Sequence, residues 1–279
     1  MTHVPNPKGV WSRLGEGVMR GGRAAQQGMT RGYQFFAPEL RTHLGEATLL
    51  ALTLAASPKT PRKPLHNDGQ RLVIFIHGLA GHRGNFIPMQ TFFRCLGRTR
   101  TVSIGFPDTS SLEIMADHLR ETVEKLVRDN NLPPRRSVDI VAHSMGGIVA
   151  RLALLTPGFG CRIHTLVTLS SPHQGTELAR YAATLKIKAL RPSSDLYKQL
   201  NQQVPWNRES HLPRLVCLWT PKDLILLPPT SAVIEGAEER CVPTSSHLGY
   251  LFKPEVWKEV LQILNDPPRI SAMPPLSSS

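Results

Sequence analysis

The sequence predicts an α/β protein: a mainly parallel sheet flanked by helices, a small helical cap after the sixth strand, and an extra N-terminal helix. Three observations carry this expectation. From Arg71 onward, short apolar β-branched runs alternate with segments of helical period. The 279 residues suffice for one large domain and a short appendage. The strand-like run Val138-Asp139-Ile140-Val141 enters Ala142-His143-Ser144-Met145-Gly146-Gly147, and a helical run, Ile148 to Leu155, leaves it. Small residues around that serine let strand and helix close on a tight turn that exposes its hydroxyl. Ala142 stands at the first small position, where glycine is usual, so a positive φ there would cost more.

Taken in order, residues 1–35 are rich in Gly and Arg and read as a disordered basic lead-in. Residues 36–63 comprise a helix, Glu39 to Ala56, stopped by Pro58, and a Lys/Pro-rich linker from Pro58 to Pro64. Packing of this apolar helix on the main domain is favoured over a membrane-surface anchor. Residues 64–266 form the main domain, with strands expected at Leu72–Ile76, Thr101–Ile104, Val138–Val141, His164–Leu169, Arg214–Leu218 and near Arg240–Val242. Helices are expected near Leu112–Arg128, Gly147–Leu155 and Pro254–Leu264. No strand pattern appears over 175–212, which reads as the cap, and the Pro/Ser-rich residues 267–279 read as a disordered tail.

Hydrophobic residues make up 41% of the chain, and no run approaches the length of a membrane span. The 33 basic against 21 acidic residues leave a net charge of +12. No nucleic-acid motif accompanies that charge, so no nucleic-acid partner is expected; solubility and attraction to anionic lipid explain it better. A peripheral membrane contact would run through the basic N-terminal region. Cys95, Cys161, Cys217 and Cys241 are widely spaced, and Cys217 reads as a packed thiol in an apolar strand. The opening residues lack the apolar stretch of a secretory signal, which makes the cytoplasm the expected compartment.

A serine hydroxyl is a weak nucleophile until a base takes its proton, and that base needs a carboxylate to orient it. Downstream of Ser144, Asp223 follows the strand Leu215–Trp219, and His247 precedes the last helix. Gaps of 79 and 24 residues leave room for a cap and then for a connecting loop. Asp223 also fits a turn, Pro221-Lys222-Asp223, but strand, acid and later histidine occur together. Asp195 reads as a helix-capping residue, and Asp139 sits too far down its strand. Among the other histidines, His118 reads as a core-edge residue, His143 as pointing away from its neighbour, and His77 as part of another element. Oxyanion donors are expected from the amides of Met145 and of Leu79, the latter in the loop His77-Gly78-Leu79-Ala80-Gly81-His82. No histidine or carboxylate spacing suits a catalytic metal, and no cofactor is expected.

These segments together resemble the lipase/esterase branch of the α/β-hydrolase superfamily. VIFIHGLAGHRGNF is similar to a lipase oxyanion loop, and VDIVAHSMGG to the serine turn of small bacterial triacylglycerol lipases. TLSSPHQGTELA resembles the stretch after the next strand in bacterial lipases and in the GPI-inositol-deacylase-like group; RPSSDLYKQLN is similar to the helix that follows. DLILLPP and SHLGYL are similar to the family's acid and base segments. The resemblance spans about Arg71 to Leu264. It implies an α/β-hydrolase fold and a serine hydrolase of carboxylic esters, with Ser144, Asp223 and His247 as triad. It also implies that His173, Gln174 and Gly175 lie near the pocket without catalysing.

The expected substrate is a small-molecule ester or a lipid, cleaved through an acyl-enzyme on Ser144. Leu178, Tyr181, Leu185, Ile187, Leu190 and Trp206 are candidates for the acyl pocket, with packing on the domain the competing reading. Two other functions fit the sequence: an acyltransferase or phospholipid/lipid-anchor deacylase of the same fold, and a catalytically silent scaffold.

Overall fold

The computed structural model describes residues 38–55, 65–106, 111–181, 184–202, 206, 212–243 and 245–266. The chain divides into two compact units, residues 1–49 and 50–279. The expectations for the lead-in 1–35, the linker and the tail 267–279 lie outside the described residues.

A helix, α1 (Pro38–Ala55), precedes the sheet. Six strands follow: β1 (Leu72–Ile76), β2 (Thr101–Ile104), β3 (Val138–His143), β4 (Ile163–Leu169), β5 (Arg214–Trp219) and β6 (Glu238–Cys241). Their order is β2-β1-β3-β4-β5-β6, and every pairing is parallel. The helices of the second unit are α2 (Ile87–Cys95), α3 (Leu112–Asp129), α4 (Met145–Leu154), α5 (Leu185–Lys188), α6 (Asp195–Asn201) and α7 (Pro254–Asn265).

Strand periodicity sorts the core into two layers. Leu72, Ile74 and Ile76 of β1 share one cluster with Met115 and Leu119 of α3 and Ile148 and Val149 of α4. The alternate residues Val73 and Phe75 join Met89 and Phe93 of α2 and Val260 and Ile263 of α7. Both faces are therefore covered, and β1, Leu72–Ile76, is a continuous apolar run rather than an alternating one.

The structure departs from expectation in three places. The segment expected as the cap follows β4, the fourth strand among the described residues, not a sixth. Helix α2 was not anticipated: its nine residues give barely two turns of pattern, and Pro88 stands in its first turn, where a missing N–H costs nothing. Strand β6 begins two residues early, at Glu238. It is an edge strand whose residues alternate between half-buried and exposed, so charged groups occupy what would be an apolar run elsewhere.

Parallel pairing sends the carboxyl ends of all six strands to one edge. Around β1 the chain order reverses, β2 lying on one side and β3 on the other, which opens a crevice at the ends of β1 and β3. The turn after β3 demands small residues. A Cβ on Gly146 would stand 2.7 Å from the His77 carbonyl oxygen and 2.9 Å from that of Ile76. Because those neighbours are backbone, Gly146→Ala should lower stability by about 1–3 kcal/mol, read from denaturant midpoints at unchanged m.

Candidate active site

Ser144 lies between the end of β3 and the first residue of α4, with φ 53° and ψ −127°. The strain of the turn falls on the serine itself; Ala142 remains in the strand, paired with Ile76 and Thr168, so alanine carries no positive-φ cost there. The Ser144 amide donates to the Leu169 carbonyl of β4 at 2.9 Å, which fixes the turn against the neighbouring strand.

His247 follows β6 and reaches Ser144 with its ring. Its Nε2 is 3.0 Å from Ser144 Oγ, and its Nδ1 is 2.8 Å from Asp223 Oδ2. A carboxylate only accepts, so Nδ1 carries the hydrogen and Nε2 offers its lone pair to the serine hydroxyl. The other carboxylate oxygen, Oδ1, accepts the amides of Ile225 at 2.8 Å and Leu226 at 2.9 Å. Burial alone would raise the Asp223 carboxyl. The hydrogen bond and charge of His247, with the two amides, outweigh that and hold it below its ordinary range. Asp223 and His247 are buried.

Met145 begins α4, so its amide belongs to the first helical turn, whose N–H groups have no partner within the helix. Leu79 sits in the turn after β1 that the Gly81 amide closes on the Gly78 carbonyl at 3.1 Å. Gly78 brings that loop against the serine: a Cβ there would stand 2.8 Å from Ser144 Cβ. Both expected donor residues thus lie on the segments that flank Ser144.

The competing acid and base candidates are committed elsewhere. Asp139 is fully buried in β3 between Arg71 at 3.0 Å and Arg98 at 2.9 Å. Asp195 is the first residue of α6 rather than its cap, which is Ser194, and pairs with Lys198 at 2.7 Å. His77 Nδ1 donates to the Gly78 carbonyl at 2.9 Å. His118 packs edge-on to Phe106.

His143 is the residue the sequence reading missed. Its ring centroid is 5.0 Å from that of His247. The available signal was its place at the end of a strand, directly beside the serine.

His173 is buried, with Nε2 3.0 Å from Thr168 Oγ1, and its carbonyl accepts from Arg151 Nη1 at 3.1 Å. Arg151 Nη2 reaches the Leu200 carbonyl at 3.2 Å, joining the helix behind the serine to the cap; burial pushes this guanidinium down to about 10. Of the pocket candidates, Leu190 and Trp206 are buried in the core whereas Tyr181 is 87% exposed. Among the described residues, no group of three or more His, Cys, Asp or Glu side chains is arranged to hold a metal ion. No helix among them is long and apolar enough to cross a membrane.

Comparison with known proteins agrees with this architecture. A family model for a PGAP1-like alpha/beta domain matches residues 106–210. The mature Bacillus licheniformis lipase BlEst2 superposes with a TM-score of 0.60 at 14% identity, covering 70% of this chain and 92% of that one. The chain has an α/β-hydrolase fold. Among curated relatives, the chain is 49% identical over 47 residues to the GPI inositol-deacylase of Neurospora crassa, covering 16% of the chain and 4% of that protein. It is 30% identical over 115 residues to triacylglycerol lipase 2 of Saccharomyces cerevisiae, covering 40% of the chain and 35% of the lipase. The chain thus spans only 4% and 35% of these two relatives.

Proposed function

We propose that the chain hydrolyses carboxylic esters of lipid character through an acyl-enzyme on Ser144. The observation that carries this reading is the continuous hydrogen-bond relay from Ser144 Oγ through the His247 ring to Asp223. Ser144 Oγ attacks the ester carbonyl carbon while its proton passes to His247 Nε2. The carbonyl C–O bond to the leaving alkoxide then breaks, and His247 returns the proton to that alkoxide. Water attacks the acyl-serine, its proton again taken by His247, and Ser144 departs with that proton as the acid is released. The amides of Leu79 and Met145 hold the oxyanion. Residues 64–266 form the catalytic domain and 175–212 its cap.

The lipid character rests on the surface around Ser144. Large apolar side chains stay exposed on three segments that follow strand ends: Leu79 after β1, Leu178 and Tyr181 after β4, and Leu224, Ile225 and Leu227 after β5. The last two segments are bonded together, with Glu177 N donating to the Leu227 carbonyl at 2.9 Å and Thr176 Oγ1 to that of Ile225 at 2.9 Å. Such a rim suits an apolar acyl chain presented from a lipid phase. A lipid-anchor deacylase is the second reading, favoured by the short stretch shared with GPI inositol-deacylases.

Two measurements test the reading. The wild-type protein should be labelled by a fluorophosphonate; its failure to react would remove the serine-hydrolase claim. Turnover of p-nitrophenyl palmitate should rise when the ester is carried in liposomes, with p-nitrophenyl butyrate unaffected. Leu178→Asp with Tyr181→Asp should erase that rise. Faster turnover of butyrate than of palmitate, with neither rate raised by liposomes, would assign the site to soluble short-chain substrates.

A further inference from the structure

We propose that His143 is a positioning residue for the base: it holds His247 by its main chain while Ser144 meets the ring. The inference rests on the serine-hydrolase reading above and adds a fourth side chain to it. His143 Nε2 lies 2.7 Å from the His247 carbonyl oxygen. A carbonyl only accepts, so Nε2 bears the hydrogen, and this bond fixes the tautomer of His143 as Asp223 fixes that of His247.

The consequence is geometric. The dipeptide His143-Ser144 grips His247 at two points, the carbonyl at 2.7 Å and the ring nitrogen at 3.0 Å. Base and nucleophile sit 103 residues apart, on a loop and on a strand-end turn, so the register between them must come from such cross-links. The loop is otherwise tied at its flanks: Thr220 Oγ1 donates to the Ser245 carbonyl at 3.1 Å, and the Gly249 amide to Ser246 Oγ at 3.0 Å. Neither bond acts on residue 247 itself. On its other side the His143 ring faces the oxyanion loop, where a Cβ on Gly78 would come within 3.3 Å of His143 Nδ1.

The ring is also suited to standing beside a histidine that becomes cationic during turnover. The ionisable groups that act on it are His247, Asp223 and His77. Burial first, and the neighbouring His247 next, push His143 down to about 3, so it stays uncharged when the imidazolium forms. A second cation at that place would oppose the proton transfer from Ser144.

Phenylalanine fills the ring volume without a donor, and glutamine offers an amide N–H at comparable reach. In the full chain, His143→Phe should lower kcat roughly 10- to 100-fold, the scale of a small misplacement of reacting groups. KM should stay nearly unchanged and the fluorophosphonate labelling rate should fall in step. His143→Gln should recover most of the loss. A folded Phe variant with wild-type kcat would overturn the proposal. So would equal losses in folded Phe and Gln variants, which would reduce the ring to packing. If the Phe variant does not fold, Gln alone decides: a folded Gln variant with kcat near wild type supports the donor role, and a loss beyond tenfold rejects it. Ser144→Ala run alongside separates the two claims. Activity surviving that change removes the hydrolase reading, whereas its loss beside a fully active His143→Phe removes only the role of His143.

Discussion

Ser144→Ala should abolish ester turnover, lowering kcat by about 10⁶-fold, and should end fluorophosphonate labelling with the fold intact. Only the hydroxyl is lost. The backbone bonds of the turn, Ser144 N to the Leu169 carbonyl at 2.9 Å and Gly147 N to the Ser144 carbonyl at 3.1 Å, do not involve the side chain. Alanine meets the positive φ of 53° with the same Cβ that serine already carries, so the strain of the turn hardly changes. Far-UV circular dichroism and a thermal melt would establish that loss of activity is chemical. Turnover near wild type in the folded variant would show that the ester is cleaved elsewhere on the molecule.

Much of this arrangement is legible in the sequence. The central strands were readable because both faces of a central parallel strand are buried, so that Leu72–Ile76 of β1 is apolar throughout and β3 to β5 are rich in Val, Ile and Leu. Ser144 and its glycines were readable because the turn tolerates almost nothing else, as the 2.7 Å approach at Gly146 shows. Asp223 and His247 followed from their order and from the strands ahead of them. What stayed hidden depends on long-range contact. Helix α2 is too short for its period to stand out, and the edge strand β6, expected near Arg240–Val242, starts earlier on two glutamates that gave no apolar signal. The orientation of His143 could not be read from its neighbours in sequence, since its partner is the main-chain carbonyl of residue 247.

His247→Gln should be nearly as damaging as loss of the serine, about 10⁶-fold in kcat, because hydroxyl and imidazole act as one unit. Glutamine has no group that can take a proton from Ser144 Oγ and then return it to a leaving alkoxide. Combining His247→Gln with Ser144→Ala should therefore lower activity hardly further than either change alone. Asp223→Asn should cost less, about 10⁴-fold, since the base remains but its tautomer is no longer fixed by an acceptor at Nδ1. The ordering is the discriminating feature: serine and histidine equal, aspartate milder, and no addition between them. Should His247→Gln keep substantial turnover, another histidine would have to serve Ser144, and the structure leaves little room for one. His143 spends its Nε2 hydrogen on the His247 carbonyl, and His77 spends its Nδ1 hydrogen on that of Gly78. A substitute base would have to break one of these bonds and turn toward the serine, which would leave a buried carbonyl without its donor.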